Sequence, residues 1–131
     1  MKINDIILLK RDLDSVKIGQ LSNENLRKYL KLSVELNKYN TEFENKRTTL
    51  IDEAIAAKGF DINTITAEQD QEIGDIVVPI LNEYLFTEVE INTKILSWND
   101  LFDNILNLPE NISLSTEVKS RLAELLCTEN L

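Results

Sequence analysis

The chain contains no histidine, which removes the commonest general base and the commonest transition-metal ligand together. Serine, threonine or cysteine nucleophiles that depend on an imidazole are excluded with it. There is one cysteine, Cys127, so an intramolecular disulfide is impossible. It sits in a polar tail with no imidazole or cluster of bases beside it to favour the thiolate, and an inert thiol is expected. Zinc and haem lack their usual ligands. The three glycines, Gly19, Gly59 and Gly74, stand far apart and cannot build a phosphate-binding loop. The expectation is a protein that is not an enzyme and carries no cofactor and no metal.

Long apolar runs are also missing. No segment approaches the ~18 residues needed to cross a bilayer. Ile6-Ile7-Leu8-Leu9 is too short for a signal-peptide core, and no small-residue cleavage site follows it. A cytoplasmic location is expected. Basic residues are scarce in one half only. Residues 1–58 carry eleven Lys or Arg against nine Asp or Glu, a balance of +2, whereas residues 59–131 carry three against fourteen, a balance of −11. Nucleic acid and anionic membranes are therefore excluded as expected partners, because both need a basic face. The simplest use of the asymmetry is internal, the mildly basic half packing against the acidic one. The functional alternative is an acidic surface that docks a basic protein.

Carboxylates remain as chemistry. Asp61, Asn63, Gln69 and Glu72 fall at the first, third, ninth and twelfth positions of a calcium-loop template. Ile65 and Thr66 then occupy the fifth position, which needs a ligand, and the sixth, which needs glycine. A loop followed by a capped helix accounts for the same letters better. Glu68, Asp70, Glu72 and Asp75 crowd the first turns of that helix, where its dipole stabilises negative charge.

What is present is a chain of 131 residues, 43% hydrophobic and 28% charged, the size and composition of one domain spanning residues 1–131. Its dominant feature is Gln20 to Lys58, thirty-nine residues without glycine or proline. Ser22 offers an N-cap, Leu21 and Leu26 a hydrophobic staple, and Gly59 a C-terminal stop. Tyr29, Leu32, Leu36, Tyr39 and Phe43 recur at helical spacing. Leu26, Leu30, Val34, Ile51 and Ile55 widen the stripe, as in a helix covered by more than one neighbour. Such a helix is ~55 Å long, against the ~26 Å diameter of a compact domain, so the molecule is elongated or bends near Asn40-Thr41.

Around it the reading is shorter. Residues 1–18 open as a short strand at Lys2 to Ile7 or as a helix capped by Asp5; a helix over about 5–16 with an extended start is preferred. Thr66 and Gln69 form a capping box for a helix burying Ile73, Ile76, Val77, Ile80, Leu81, Tyr84 and Leu85, with a kink or break at Pro79. Phe86 to Ile95 alternates with period two, the strand signal of the chain; Lys2-Ile3-Asn4 is the only plausible partner, and otherwise the segment is simply a β-like crossover. Ser97 caps a short helix from Trp98 to about Asn107, and Ser113 or Ser115 begins the last one. The fold class is mainly α: a hairpin of one long and one kinked helix, shorter terminal helices, and at most a minimal two-stranded β element. Trp98, Phe102 and Tyr84 are the candidate interaction residues, since buried aromatics dominate protein interfaces. An exposed Trp98–Phe102 pair would mark a contact surface.

In outline the chain resembles a family of small bacteriophage proteins encoded among head and tail genes. The resemblance rests on the opening Met1-Lys2-Ile3 and on the charged helix from Lys28-Tyr29-Leu30-Lys31-Leu32 to Leu50-Ile51-Asp52-Glu53. Leu81-Asn82-Glu83-Tyr84 leading into Val89-Glu90-Ile91 completes it. It covers residues 1–95 and implies a phage accessory or assembly protein without catalysis, acting in the host cytoplasm. The function expected is a non-enzymatic protein–protein interaction or assembly role through helix surfaces, with a protein partner or with itself as a homodimer. The competing expectation is an acidic regulator or inhibitor that occupies a basic site on a host protein.

Overall fold

The glycine- and proline-free stretch forms one unbroken helix. In the computed structural model, which describes residues 1–130, α2 runs Asn23–Lys58 over 36 residues, a rod of ~54 Å. Ser22 is the N-cap, its hydroxyl accepting from the Asn25 amide at 3.2 Å. At the other end Gly59 takes φ 70° and donates to the carbonyl of Ala56, while the Phe60 amide returns to Ile55. A left-handed residue turns the chain out of the helix, and glycine does so without a Cβ penalty. No interruption occurs at Asn40-Thr41.

Helix α1 spans Ile3–Ser15, beginning two residues before the expected cap at Asp5. No side chain caps it. The Ile3 amide instead donates to the carbonyl of Thr87 at 3.1 Å, so backbone from the far half of the chain satisfies an orphan donor. Helix α3, Ala67–Leu85, carries the expected capping box: Thr66 accepts from Gln69, and Gln69 accepts from the Thr66 amide. It continues through Pro79 without a break. Ile73, Val77 and Leu81 are buried, but Ile76 and Ile80, expected on the same face, stay 39% and 40% exposed. Helix α3 packs mainly on α2 and touches α1 as well, so one stripe of it is covered and the rest faces water.

The strand expected at Phe86 to Ile95 is not formed, and no strand occurs among the described residues. What survives is one antiparallel bridge between Lys2 and Glu88, with the Val89 amide donating to Met1 at 2.9 Å. The partner is the expected one, but it turns helical at Ile3 and leaves no room for a ladder. A second, parallel bridge joins Leu96 to Cys127. Helix α4 is a single turn, Trp98–Leu101, continued by a π-helical turn Phe102–Leu106 in which Asn107 donates to Phe102 at 2.8 Å. After a 3₁₀ turn at Pro109–Asn111, α5 spans Thr116–Leu126 with Ser115 as its N-cap. The architecture is mainly α, five α-helices among the described residues.

Two cores share α2. The larger gathers Ile6 and Leu9 of α1, Leu36 of α2, Leu96, Leu101, and Leu122 and Leu126 of α5, with Tyr39 packed against it. The smaller holds Ala54, Ile73, Val77 and Leu81, with Phe43 and Leu50 at its edge. Tyr39 and Phe43, one turn apart, thus mark where α2 passes from a helical head into a two-helix arm with α3. Of the widened stripe of α2, Ile51 and Ile55 pack at the edge of the arm core, whereas the residues beside the head on the side away from its core are uncovered. Leu26, Leu30 and Val34 are 42%, 53% and 70% exposed.

Charge does not hold the halves together in the expected sense. Between them only the Met1 ammonium to Glu88 (3.0 Å) and Lys58 to Glu72 (3.8 Å) pair a base of the first half with an acid of the second, among the described residues. The best-made pair runs the other way, from Arg121 to Asp12.

Candidate interaction surface

Trp98 and Phe102 lie one turn apart and are brought together by α4 and the π turn. Their rings stack with centroids 5.7 Å apart and planes inclined by 28°. Trp98 leans on the head core while Phe102 stands at the surface. Ser97 fixes the entry to this turn, its hydroxyl accepting from the Asp100 amide at 3.2 Å and donating to the Asp100 carboxylate at 2.9 Å. That carboxylate also accepts from Asn25 of α2 at 2.9 Å, which ties the aromatic turn to the start of the long helix. The π turn widens the helix by one residue and brings Asn104 against Gly19, whose amide donates to the Asn104 carbonyl at 2.7 Å. A Cβ on Gly19 would meet Asn104 at 3.2 Å, so a side chain there would press on the turn.

Tyr84 belongs to a different place. It stacks on Phe43 of α2, 6.5 Å between centroids and 10° between planes, with the Lys46 ammonium 5.5 Å from its ring centroid and its hydroxyl 3.5 Å from Glu42. Burial, followed by the nearby Glu42 carboxylate, pushes its phenol above the usual tyrosine value. Tyr84 therefore clasps the base of the arm, and its ring packs on α2 instead of joining the Trp98–Phe102 pair.

Residues read in the sequence as part of the α2 stripe, but not named as an interaction site, form a second surface. Leu26, Leu30 and Val34 stand at i, i+4 and i+8 on the exposed side of α2. An open groove of 380 Å³ runs along one flank, lined by Leu13, Tyr29, Ser33 and Asn37 among others. A second, of 410 Å³, runs along the other flank against Lys31 and Glu35. A ridge with a groove on each side is the surface a partner helix packs against. Periodicity marks these residues as apolar; nothing in the sequence tells whether a neighbour covers them.

Elsewhere the polar groups are committed to structure. Asn111, 1% exposed, accepts from the Lys17 amide at 2.9 Å and donates to the carbonyls of Lys17 and Ile105 at 2.8 Å each. Arg121 grips Asp12 through Nε and Nη2 at 2.8 and 2.9 Å, and this bond holds its guanidinium above the usual arginine value. In the calcium-like segment, Asp61 accepts from the Asn63 amide and Gln69 serves the helix cap. No group of three or more His, Cys, Asp or Glu could hold a metal ion among the described residues. Cys127 is buried and free. Among the described residues no helix is long and apolar enough to cross a membrane. Compared with protein-family models, curated proteins and solved structures, the chain matches none.

Proposed function

We propose that this chain is a non-enzymatic interaction or assembly protein that engages a protein partner, itself included, through the surfaces of α2 and α3. The observation that carries the reading is the uncovered ridge of Leu26, Leu30 and Val34, on a helix longer than the rest of the fold can cover. Water-exposed apolar side chains aligned over about two turns are unfavourable unless something covers them. The resemblance to bacteriophage proteins adds an accessory or assembly role in the host cytoplasm. Trp98 with Phe102 offers a second contact area on the head; Tyr84 supports the arm from beneath.

Analytical ultracentrifugation of the chain, paired with photo-crosslinking from positions 30, 34, 76 and 80 in lysate of the source cell, tests this. Cross-links to a defined protein, or to a second copy, are expected. A chain that is monomeric at every concentration and gives no defined cross-link from these positions overturns the reading.

A second reading has its own support. Of the fourteen acidic residues in 59–131, only Glu72, Glu88 and Glu117 form ion pairs among the described residues. An acidic regulator that occupies a basic site on a host protein would use the others. Its complex should weaken steeply with salt; capture that persists unchanged at high salt counts against it.

A further inference from the structure

The exposed side of α2 and the exposed edge of α3 carry matching patterns of opposite sign. On α2, Arg27 and Lys38 stand eleven residues apart and bracket the exposed apolar pair Leu30 and Val34. On α3, Glu72 and Glu83 stand eleven residues apart and bracket the exposed apolar pair Ile76 and Ile80. Both strips are ~16 Å long, with apolar residues one turn apart. At about 100° per residue, both charges of each strip fall on one flank of its apolar pair. Laid parallel, Arg27 comes beside Glu72, Leu30 beside Ile76, Val34 beside Ile80 and Lys38 beside Glu83, with the charged flanks facing each other. Laid antiparallel, the charged flanks fall on opposite sides.

The chain cannot make this contact within itself. Its own α2 and α3 are antiparallel, and the stacking of Tyr84 on Phe43 sets Glu83 near residue 43. Arg27 is then ~24 Å farther along the axis. Arg27, Lys38 and Glu83 have no ion-pair partner among the described residues, and Glu72 has only the exposed Lys58 at 3.8 Å. Pairing α2 with the α2 of another copy finds no acidic flank: antiparallel, its basic flank meets a like one, and parallel, the two basic flanks fall on opposite sides.

Resting on the reading of the chain as an interaction protein, we propose that the occupant of the α2 ridge is the acidic edge of α3 from a second copy of this chain. Because the two strips are unlike, the contact joins α2 of one copy to α3 of another, head to tail or reciprocally in a two-fold dimer.

Light scattering at ascending concentrations, with circular dichroism as a check of folding, tests this on four proteins. They are the wild type, R27E/K38E, E72K/E83K and the chain carrying all four changes. The wild-type mass should rise with concentration and fall again with added salt. Each double variant should associate about tenfold or more weakly, since two rim pairs pass from attraction to repulsion. Mixing the two double variants, or combining the changes in one chain, should restore association. Wild-type self-association that ignores both swaps overturns this inference and leaves the interaction reading standing. Loss in both double variants with no recovery on mixing or combining overturns it as well. A wild type that stays monomeric throughout, or that takes an acidic helix of another protein on the α2 ridge, overturns the second copy as occupant. In that case the cross-linking above decides the broader reading separately.

Discussion

Replacing Asn111 by alanine should be among the most costly polar substitutions in the chain. Its carboxamide satisfies three backbone groups at once, the Lys17 amide and the carbonyls of Lys17 and Ile105, at 2.8 to 2.9 Å. From 94 residues away in sequence it thereby clamps Lys17, just past the end of α1, to the π turn at Ile105. Each such bond contributes about 0.5–1.5 kcal/mol net, and a buried group left unpaired costs about 1–3 kcal/mol. Lys17 is exposed, so water can replace the clamp on its two groups; the Ile105 carbonyl belongs to a fully buried residue. Together these give a loss of about 3 kcal/mol for Asn111→Ala. A chain of this size loses roughly 3–5 °C of Tm per kcal/mol, so Tm should fall by about 9–15 °C. Urea denaturation should show a lower midpoint with an unchanged m-value, the signature of lost native stability. Asn111→Asp keeps the acceptor for Lys17 but turns a carboxylate towards two carbonyls, and should be worse than alanine at neutral pH. A cost below about 1 kcal/mol for Asn111→Ala, or an aspartate variant as stable as wild type, would refute the clamp.

Arg121→Ala strands Asp12 in a buried position. Breaking a buried pair costs about 3–5 kcal/mol; with Arg121 a third exposed, about 2 kcal/mol is expected by chemical denaturation, and Arg121→Lys should recover part of it. The raised pKa of Arg121 makes its stabilisation fully present below the unfolded arginine value, so no dependence on pH should arise from it at any working pH. For Tyr29, burial raises the phenol, Ser33 offsets this partly, and the charge of Asp14 adds to it; for Tyr84, burial leads and Glu42 adds. A raised pKa means stability that is complete below the unfolded tyrosine value of about 10 and is lost as pH rises through the folded values. Absorbance titration compared with Tyr29→Phe and Tyr84→Phe should show each of these two phenols ionising above free tyrosine, and either one ionising at the free value before unfolding would contradict this. Gly59→Ala should cost about 1 kcal/mol by thermal denaturation from its left-handed φ alone, since no atom lies within 4 Å of the added Cβ; Gly59→Asn should cost less.

Local chemistry was legible along the chain wherever the deciding atoms are neighbours in sequence. Ser22, Ser97, Ser115 and the Thr66–Gln69 box cap their helices as their letters indicate, and Gly59 ends α2. Of the kink or break expected at Pro79, the break does not occur: α3 is continuous through it. Asp5 was misread as a cap because the group that satisfies the start of α1, the Thr87 carbonyl, arrives from 84 residues away. The alternation at Phe86 to Ile95 is genuine, but a ladder needs an extended partner, and Ile3 is already helical. The stacking of Trp98 on Phe102 follows from their spacing of four; the removal of Tyr84 to the base of the arm follows only from how α3 lies on α2.

By itself the sequence determined a helical protein built on one long rod, because helix formation, capping and termination are settled within a few residues of backbone. It also determined the charge imbalance and the absence of imidazole chemistry. Which apolar side chains find cover was decided by the tertiary structure alone. A stripe repeating every three or four residues looks the same whether a neighbour lies on it or not. Leu32 and Leu36 are buried under the head while Leu30 and Val34, on the same helix, face water. Covering depends on where α1, α3 and α5 come to rest, and that is fixed by contacts between residues distant in the chain.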